Sequence, residues 1–552
     1  MANIQTDKTP MQRLLEMVKL ERQDITLLIA LTFGYGLLNI ATPVAVQALV
    51  NIVTMGGVLQ PLFVVSVILF ALLVLSGMLY VYETYLVELI QRRIFIRTAV
   101  SAAMNTQGIQ ATIYDSENPV ELMNRFFDIS TVQKSAATLL TVGLTASLQG
   151  LIGSLILIFY SLYFAIIVIA VILMLAIIIF VLGRRGIPTA IDESITKYKM
   201  AAWLETIARN FYVFKFYRAA QRTANYTDVL ARDYLAKREE HFQTLLMQNI
   251  GAVLLYALVG TSMLALGGAL VIQGQINLGQ FVAAELIIFG VLAAFVRFIS
   301  KLEYFYDMLA ALDKIGVLND LPQEVIGAHD LENKEIASVS AHNVSFAYSS
   351  RIQPVQDLSF NLQKGQSLAV LGASGAGKST LVGIILGLRG PTIGHIAYDS
   401  LDLRQLNQTQ LRNVIGLANR VEILEGTILE NIRIGRTEIA LSEINDVLSE
   451  LGLLNDLVNL EKSLDTELNA IGAPLSTTQL QRLVLARAIV GKPSLLIIDG
   501  LLDTLDDEEL EAAIQLLARH KQDWMLIVTT RFAHIAEQFE TTLLLPSQKE
   551  RA

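Results

Sequence analysis

Three long stretches of this chain carry no Lys or Arg: Gln23–Gln91, Ser135–Gly183 and Glu239–Val296. A buried or lipid-facing helix excludes unpaired cations, and a bilayer crossing needs about 20 apolar residues. Each stretch is long enough for two crossings and has a short polar break near its middle, at Asn51–Gln60, Ser161–Phe164 and Gln273–Gln280. The pattern predicts helices near 25–50, 61–86, 137–160, 165–183, 249–272 and 281–300. The hydrophobic share of 53% against 17% charged residues fits a chain that is half membrane and half soluble.

Positive charge lies in the remaining segments, among them Lys8 to Arg22, Arg92 to Arg125, Arg184 to Arg238, then Arg297 and Lys301. By the positive-inside rule these segments and both termini are cytoplasmic. The two inner connections, about 87–135 and 184–248, keep a helical period and lack a second apolar core. They read as spanning helices continued into the cytoplasm, with turns near Thr112–Glu121 and Arg209–Tyr217. Residues 1–22 form a cytoplasmic segment without a signal-peptide core. Met11, Leu14, Leu15 and Val18 recur there at helical spacing, so a helix lies either at the membrane interface or on protein. Pro43 should kink the first span. Glu285, inside Val282–Ile287, is a candidate pathway residue, because an acid in a span faces protein or water.

The transmembrane domain is expected over 23–315, a linker over 316–337 and a soluble α/β domain over 338–552. The chain has no Cys, so disulfides and thiolate chemistry are excluded, and its six His residues lack metal-ligand spacing. A net charge of -9 gives no sign of a nucleic-acid surface. In the soluble part, Leu371–Thr380 reads LGASGAGKST, after the strand-like Ser367–Leu371 and before the helix-like Leu381–Leu386. Strand, glycine loop and helix in that order make a phosphate cradle. Gly372, Gly375 and Gly377 let backbone N–H groups turn inward, with Ser374 and Ala376 between them. The helix N-terminus attracts the same anion. Lys378 supplies charge, Ser379 a hydroxyl for Mg²⁺, and Thr380 completes the motif. Asp499, closing the apolar run Leu495–Asp499, is the expected magnesium acid, and Tyr348 could stack on an adenine ring.

With Leu475–Gln479, Asp499 and Asp503–Asp506 in this order, the sequence resembles the ATP-binding-cassette (ABC) transporters of the exporter type, six spans fused to one nucleotide-binding domain. The resemblance covers nearly the whole chain. A weaker likeness, carried by Asn39–Asn51 and Glu121–Asp128, is to exporters that work with a periplasmic adaptor; no peptidase-like domain is expected before the spans. The resemblance implies ATP and Mg²⁺ as cofactors, a second half-transporter chain as partner, and a bacterial inner-membrane location. It also implies that Ser476, Thr477, Thr478 and Gln479 are the signature capping a partner's ATP.

This chain departs from the family pattern where chemistry is done. The catalytic Glu position is Gly500, the switch His position is Thr530, the magnesium-linking Gln position is Asn419, and two signature glycines are Thr477 and Thr478. His534 falls a helical turn late for the switch. Glu508 and Asp503 are expected on the wrong side of the strand end to serve as a base. The usual C-terminal tail is expected to be short or missing after Thr541–Leu545. The expectation is an ATP-binding, hydrolysis-poor subunit of a dimeric exporter. An active homodimeric pump and a non-transporting ATP-binding scaffold are the alternatives.

Overall fold

A computed structural model describes residues 8–54, 59–116, 119–325, 327–331, 335–349 and 352–546. The chain divides into two units. The first is Met1–Ile109 with Ser116–Gln323, and the second is Glu324–Ala552 with the short excursion Gln110–Asp115.

The first unit is helical, and among the described residues six helical stretches are long and apolar enough to cross a membrane. Helix α1 (Pro10–Leu20) opens on a capping box between Thr9 and Gln12. It packs on protein: Arg13 pairs with Asp320, and Leu14 and Met17 join a core with Ile90, Ile94 and Ile315. The first span is α2 (Arg22–Asn39) and α3 (Ala41–Thr54). The helix breaks at Ile40, just upstream of Pro43. Proline lacks the N–H that would bond the Asn39 carbonyl, so the bend falls a turn before the ring. Then come α4 (Leu59–Gln107), α5 (Ile113–Ser116), α6 (Pro119–Asn124), α7 (Ile129–Thr138), α8 (Leu144–Tyr160) and α9 (Leu162–Ala176). They are followed by α10 (Gly186–Arg209), α11 (Phe211–Lys215), α12 (Ala220–Ile272), α13 (Leu278–Ser300) and α14 (Leu302–Asn319).

Helix α4 has 49 residues and α12 has 53. At 1.5 Å per residue they run about 75–80 Å, far beyond a hydrocarbon core of about 30 Å. The long polar connections are therefore helical continuations of the spans. The middle breaks are capped: Ser161 accepts from the Tyr163 amide, and Asn277 forms a capping box with Gln280. In the first break, 55–58 lie outside the described residues. Two π turns, Leu139–Gly143 and Ile177–Val181, interrupt the third and fourth spans. Helix α14 continues through Gly316, where an added Cβ would lie 2.3 Å from the Arg13 guanidinium. The glycine that reads as a linker signal thus lets α1 approach α14.

The second unit holds two sheets. Antiparallel strands β1 (Ser338–Phe346), β2 (Val355–Gln363), β4 (Ile393–Tyr398) and β5 (Leu401–Asp402) lie in the order β2-β1-β4-β5. The parallel sheet comprises β3 (Ser367–Leu371), β6 (Ile415–Ala418), β9 (Leu495–Asp499), β10 (Met525–Thr530) and β11 (Thr541–Leu544), in the order β11-β3-β10-β9-β6. A small pair, β7 (Gly426–Thr427) with β8 (Glu467–Leu468), stands apart. Every residue of β10 is buried, as are Leu495–Ile498, the signature of a parallel sheet covered on both faces. Helix α15 (Lys378–Ile385) follows β3. The expected short C-terminus beyond Pro546 lies outside the described residues.

Candidate nucleotide site

Ligands in open parallel sheets gather at the carboxyl ends of the strands. Four adjacent ends meet here. The loop Gly372–Gly377 leaves β3, Thr530 ends β10, Asp499 ends β9, and Asn419 follows β6 directly. Register aligns them: Thr530 pairs with Leu371, Thr529 with Asp499, and Ala418 with Ile498. The Gly372 amide donates to the Thr530 carbonyl at 3.1 Å, fixing the start of the loop to β10.

The loop needs its glycines. Gly377 has φ +100°, and an added Cβ would stand 2.5 Å from the Pro354 carbonyl oxygen. Only glycine meets both conditions. Helix α15 starts at Lys378, three residues before Leu381, because Gly377 turns the chain straight into it. Lys378 Nζ donates to the carbonyls of Gly372 at 2.7 Å and Ala373 at 3.0 Å. Burial holds this ammonium below the usual lysine range, while the charges of Asp503 and Asp499 pull the other way. Ser374 and Ser379 are exposed, and Ala376 is buried beneath the loop. Backbone donors, an ammonium, a helix N-terminus and a free-standing carboxylate at Asp499 suit a nucleotide phosphate chain with Mg²⁺. Thr529 Oγ1 donates to Asp499 Oδ1 at 2.6 Å, which aims the carboxylate.

Tyr348 lies just beyond β1, its hydroxyl 3.2 Å from Thr380 Oγ1. The Arg389 guanidinium sits 5.1 Å over its ring and donates to Asp115 in a two-pronged pair, one arm 2.8 Å long. Neither partner stands out in sequence, since both lie in unremarkable polar turns.

Gly500 has φ +69° and nothing within 4 Å of an added Cβ. Thr530 is fully buried, and its hydroxyl donates to Asp503 Oδ1. The Arg531 amide donates to Asp503 Oδ2 at 3.0 Å. This corrects the expected position of Asp503: the turn Leu502–Thr504 swings it back to the end of β10, beside the loop. Its signal in the sequence was an acid four residues after Asp499. Glu508 stays exposed in the first turn of the helix Asp507–Arg519.

Ser476 caps the helix Thr477–Ile489, with Gln479 closing the capping box. Thr477 and Thr478 occupy its first turn. Glu285 on α13 is half-buried and makes no ion pair or hydrogen bond among the described residues. The sequence reading passed over Glu83 in the second span, which is only 1% exposed and accepts from Thr145 at 3.3 Å. It also passed over Glu21, buried between Arg93 and Arg97.

The profile described as "ABC transporter" matches residues 355–502 of the chain, and the profile "ABC transporter transmembrane region" matches residues 25–295. The chain belongs to the ABC transporters. It is 28% identical over 277 residues to the Beta-(1-->2)glucan export ATP-binding/permease protein NdvA of Bartonella bacilliformis, across 48% of this chain and 45% of that protein. The chain thus spans about half the length of that relative. It is 24% identical over 501 residues to the lactococcin-A transport/processing ATP-binding protein LcnC of Lactococcus lactis subsp. lactis, across 88% of this chain and 68% of that protein. The structure of a bacterial Atm1-family ABC exporter with ATP bound superposes with a TM-score of 0.83 at 20% identity, covering 96% of this chain and 94% of that one. This ABC transporter therefore has the exporter fold: a membrane protein with six apolar helices followed by an ATP-binding α/β domain.

Proposed function

We propose that the chain is one half of a dimeric exporter whose own site holds ATP with Mg²⁺ and hydrolyses it poorly. One observation carries this reading: the phosphate loop and Asp499 are intact, while the strand end beside them presents Gly500 and a Thr530 hydroxyl already tied to Asp503. Bound Mg-ATP would supply the phosphoanhydride and the charge of the metal. Gly372–Thr380 would bind the phosphates, Ser379 and Asp499 would hold the metal, and Tyr348 would carry the base. Gly500 offers no group to take a proton from water, a step typically worth about 10²–10⁴-fold. Thr530 brings no cation to the terminal phosphate, and Asn419 is one methylene shorter in reach than Gln.

The remaining parts of the reading follow the same fold. Ser476–Gln479 would cap the ATP of a second chain, identical or more competent, with Thr477 and Thr478 holding the backbones apart. The domain limits 23–315, 316–337 and 338–552 are retained as proposals. So are cytoplasmic termini, an inner-membrane setting, a periplasmic adaptor and Glu285 on the transport path. An active pump would require a base, and Asp503 is the nearest candidate. Both its oxygens accept hydrogen bonds from β10 and the residue after it, which argues against that use.

The test is thermal stabilisation and phosphate release by the purified chain with Mg-ATP, with Lys378→Ala as blank. Stabilisation without turnover is expected. Robust turnover that Lys378→Ala abolishes would overturn the hydrolysis-poor reading, and absence of stabilisation at millimolar Mg-ATP would overturn nucleotide binding.

A further inference from the structure

Asp503 puts a second carboxylate at the mouth of the phosphate loop. It is held rigidly: its side chain is 10% exposed, Oδ1 accepts from Thr530 and Oδ2 from the Arg531 amide at 3.0 Å. The nearest cation besides Lys378 is Arg531, whose Nε stands 3.9 Å away on a side chain that is 54% exposed and turned to solvent. Asp499, one strand over, engages Thr529 instead. Both acids are thus tied to β10 or its end, Asp499 through one oxygen and Asp503 through both, which leaves Asp499 the better placed to meet a metal.

The direction of a nucleotide in this site follows from the reading above, on which this inference rests. With the base on Tyr348, on the side of the antiparallel sheet, the phosphate chain would run along the loop toward Lys378, whose ammonium already feels the charge of Asp503. A triphosphate would then bring its last phosphate nearer to Asp503 than a diphosphate would. Like charges in a partly screened site repel strongly at such range.

We infer that Asp503 sets the site's choice between nucleotides and tilts it toward a nucleoside diphosphate. ATP would still enter this site, held less tightly than it would be beside an uncharged residue. No bond is made or broken in this step. The charge of Asp503 acts only on the equilibrium.

The experiment is titration calorimetry of the purified full-length chain with Mg-ADP and with a non-hydrolysable Mg-ATP analogue. Wild type, Asp503→Asn, Asp503→Ser, Thr530→Val and the exposed control Glu508→Gln are compared. Wild type is expected to bind the diphosphate at least as tightly as the analogue. Asp503→Asn keeps the shape, its Oδ1 able to accept from the Arg531 amide and its Nδ2 able to donate to the Thr530 hydroxyl oxygen, so it tests charge with little disturbance of the turn. It should move the affinity ratio about tenfold toward the triphosphate, as loss of a unit charge at short range does, and Asp503→Ser should match it. Thr530→Val frees the carboxylate and should deepen the diphosphate preference, while Glu508→Gln should leave the ratio alone. If both nucleotides bind and neither Asp503 variant changes their ratio more than about twofold, Asp503 is not the determinant and the inference fails while nucleotide binding stands. If wild type prefers the triphosphate tenfold or more, the inference also fails. If wild type binds neither nucleotide, the nucleotide-binding reading itself falls and takes this one with it.

Discussion

Replacing Gly500 with Glu restores the family's base in composition, and the geometry predicts that it will not restore it in function. Gly500 has φ +69°, and its amide donates to the Thr529 carbonyl at 3.2 Å. An added Cβ meets no atom within 4 Å, so a clash at the first carbon is not the obstacle. The obstacle is the backbone. A side chain at left-handed φ costs about 1–2 kcal/mol, and its Cβ leaves in a different direction from that of a residue continuing the strand. For a unit of this size each kcal/mol moves the unfolding midpoint by about 2–4 °C. Gly500→Glu and Gly500→Ala should therefore both lower the midpoint of the soluble unit, by about 2–8 °C. Gly500→Asn should lower it less, because Asn tolerates this conformation. Phosphate release by Gly500→Glu should rise less than about tenfold, far below the 10²–10⁴ of a well-placed base, and the gain should stay small until Thr530 is also changed to His and Asp503 to Ser. The assays are calorimetric scanning of the full chain and phosphate release at saturating Mg-ATP. A hundredfold or greater gain from Gly500→Glu alone, without loss of stability, would refute this reasoning.

Three further outcomes are expected. Gly377→Ala combines φ +100° with a Cβ 2.5 Å from the Pro354 carbonyl, so it should cost about 2–3 kcal/mol and abolish stabilisation by Mg-ATP in a thermal shift assay. Gly150→Leu on α8 puts side chain where a Cβ already lies 2.4 Å from the Phe295 ring of α13; reduced monodisperse yield in detergent is expected, whereas the exposed Gly77→Leu, with nothing within 4 Å, should behave as wild type. His520 is raised above the usual histidine range, first by its hydrogen bond to Asp523 and then by Glu450, and its folded-state charge is the stabilising one. That contribution should be complete below the unfolded value of about 6.5 and fade as pH rises through the folded value; with the side chain 41% exposed it should stay under about 1 kcal/mol. Thermal midpoints of wild type and His520→Gln should differ near pH 6 and converge near pH 8.5, and a difference that grows with pH would contradict it.

The spans were legible because hydrocarbon tolerates so little: three stretches without Lys or Arg reveal six helices. The phosphate loop was legible because its glycines, Lys378 and Ser379 are contiguous. Two things were hidden for opposite reasons. The π turns at Leu139–Gly143 and Ile177–Val181 insert a residue without changing composition, so no apolar period announces them. Asp503 was visible as an acid, but a three-residue helical turn decides which side of the strand end it reaches, and local propensity does not encode that. Helix starts hide in the same way: the apolar run Leu381–Leu386 marks the body of α15, while the backbone turns helical at Lys378 and, in the second case, at Thr477. Ser476 with Gln479 carried the information in the second case, as a capping box. Gly316 is ambiguous in sequence: a small residue suits a linker or a close helix contact, and here its packing against Arg13 within α14 is the contact.

The pair Asp115–Arg389 joins residues 274 apart in the chain. During synthesis at about 5–20 residues per second, the excursion Gln110–Asp115 emerges roughly 15–55 s before Arg389 exists. Its carboxylate waits, while the spans on either side are already being threaded into lipid. The soluble unit therefore includes a pair whose acid is made well before its base. A chain altered at Asp115 should insert normally yet leave its newly made soluble unit open to protease for longer, a delay that a pulse–chase would register before any transport assay could.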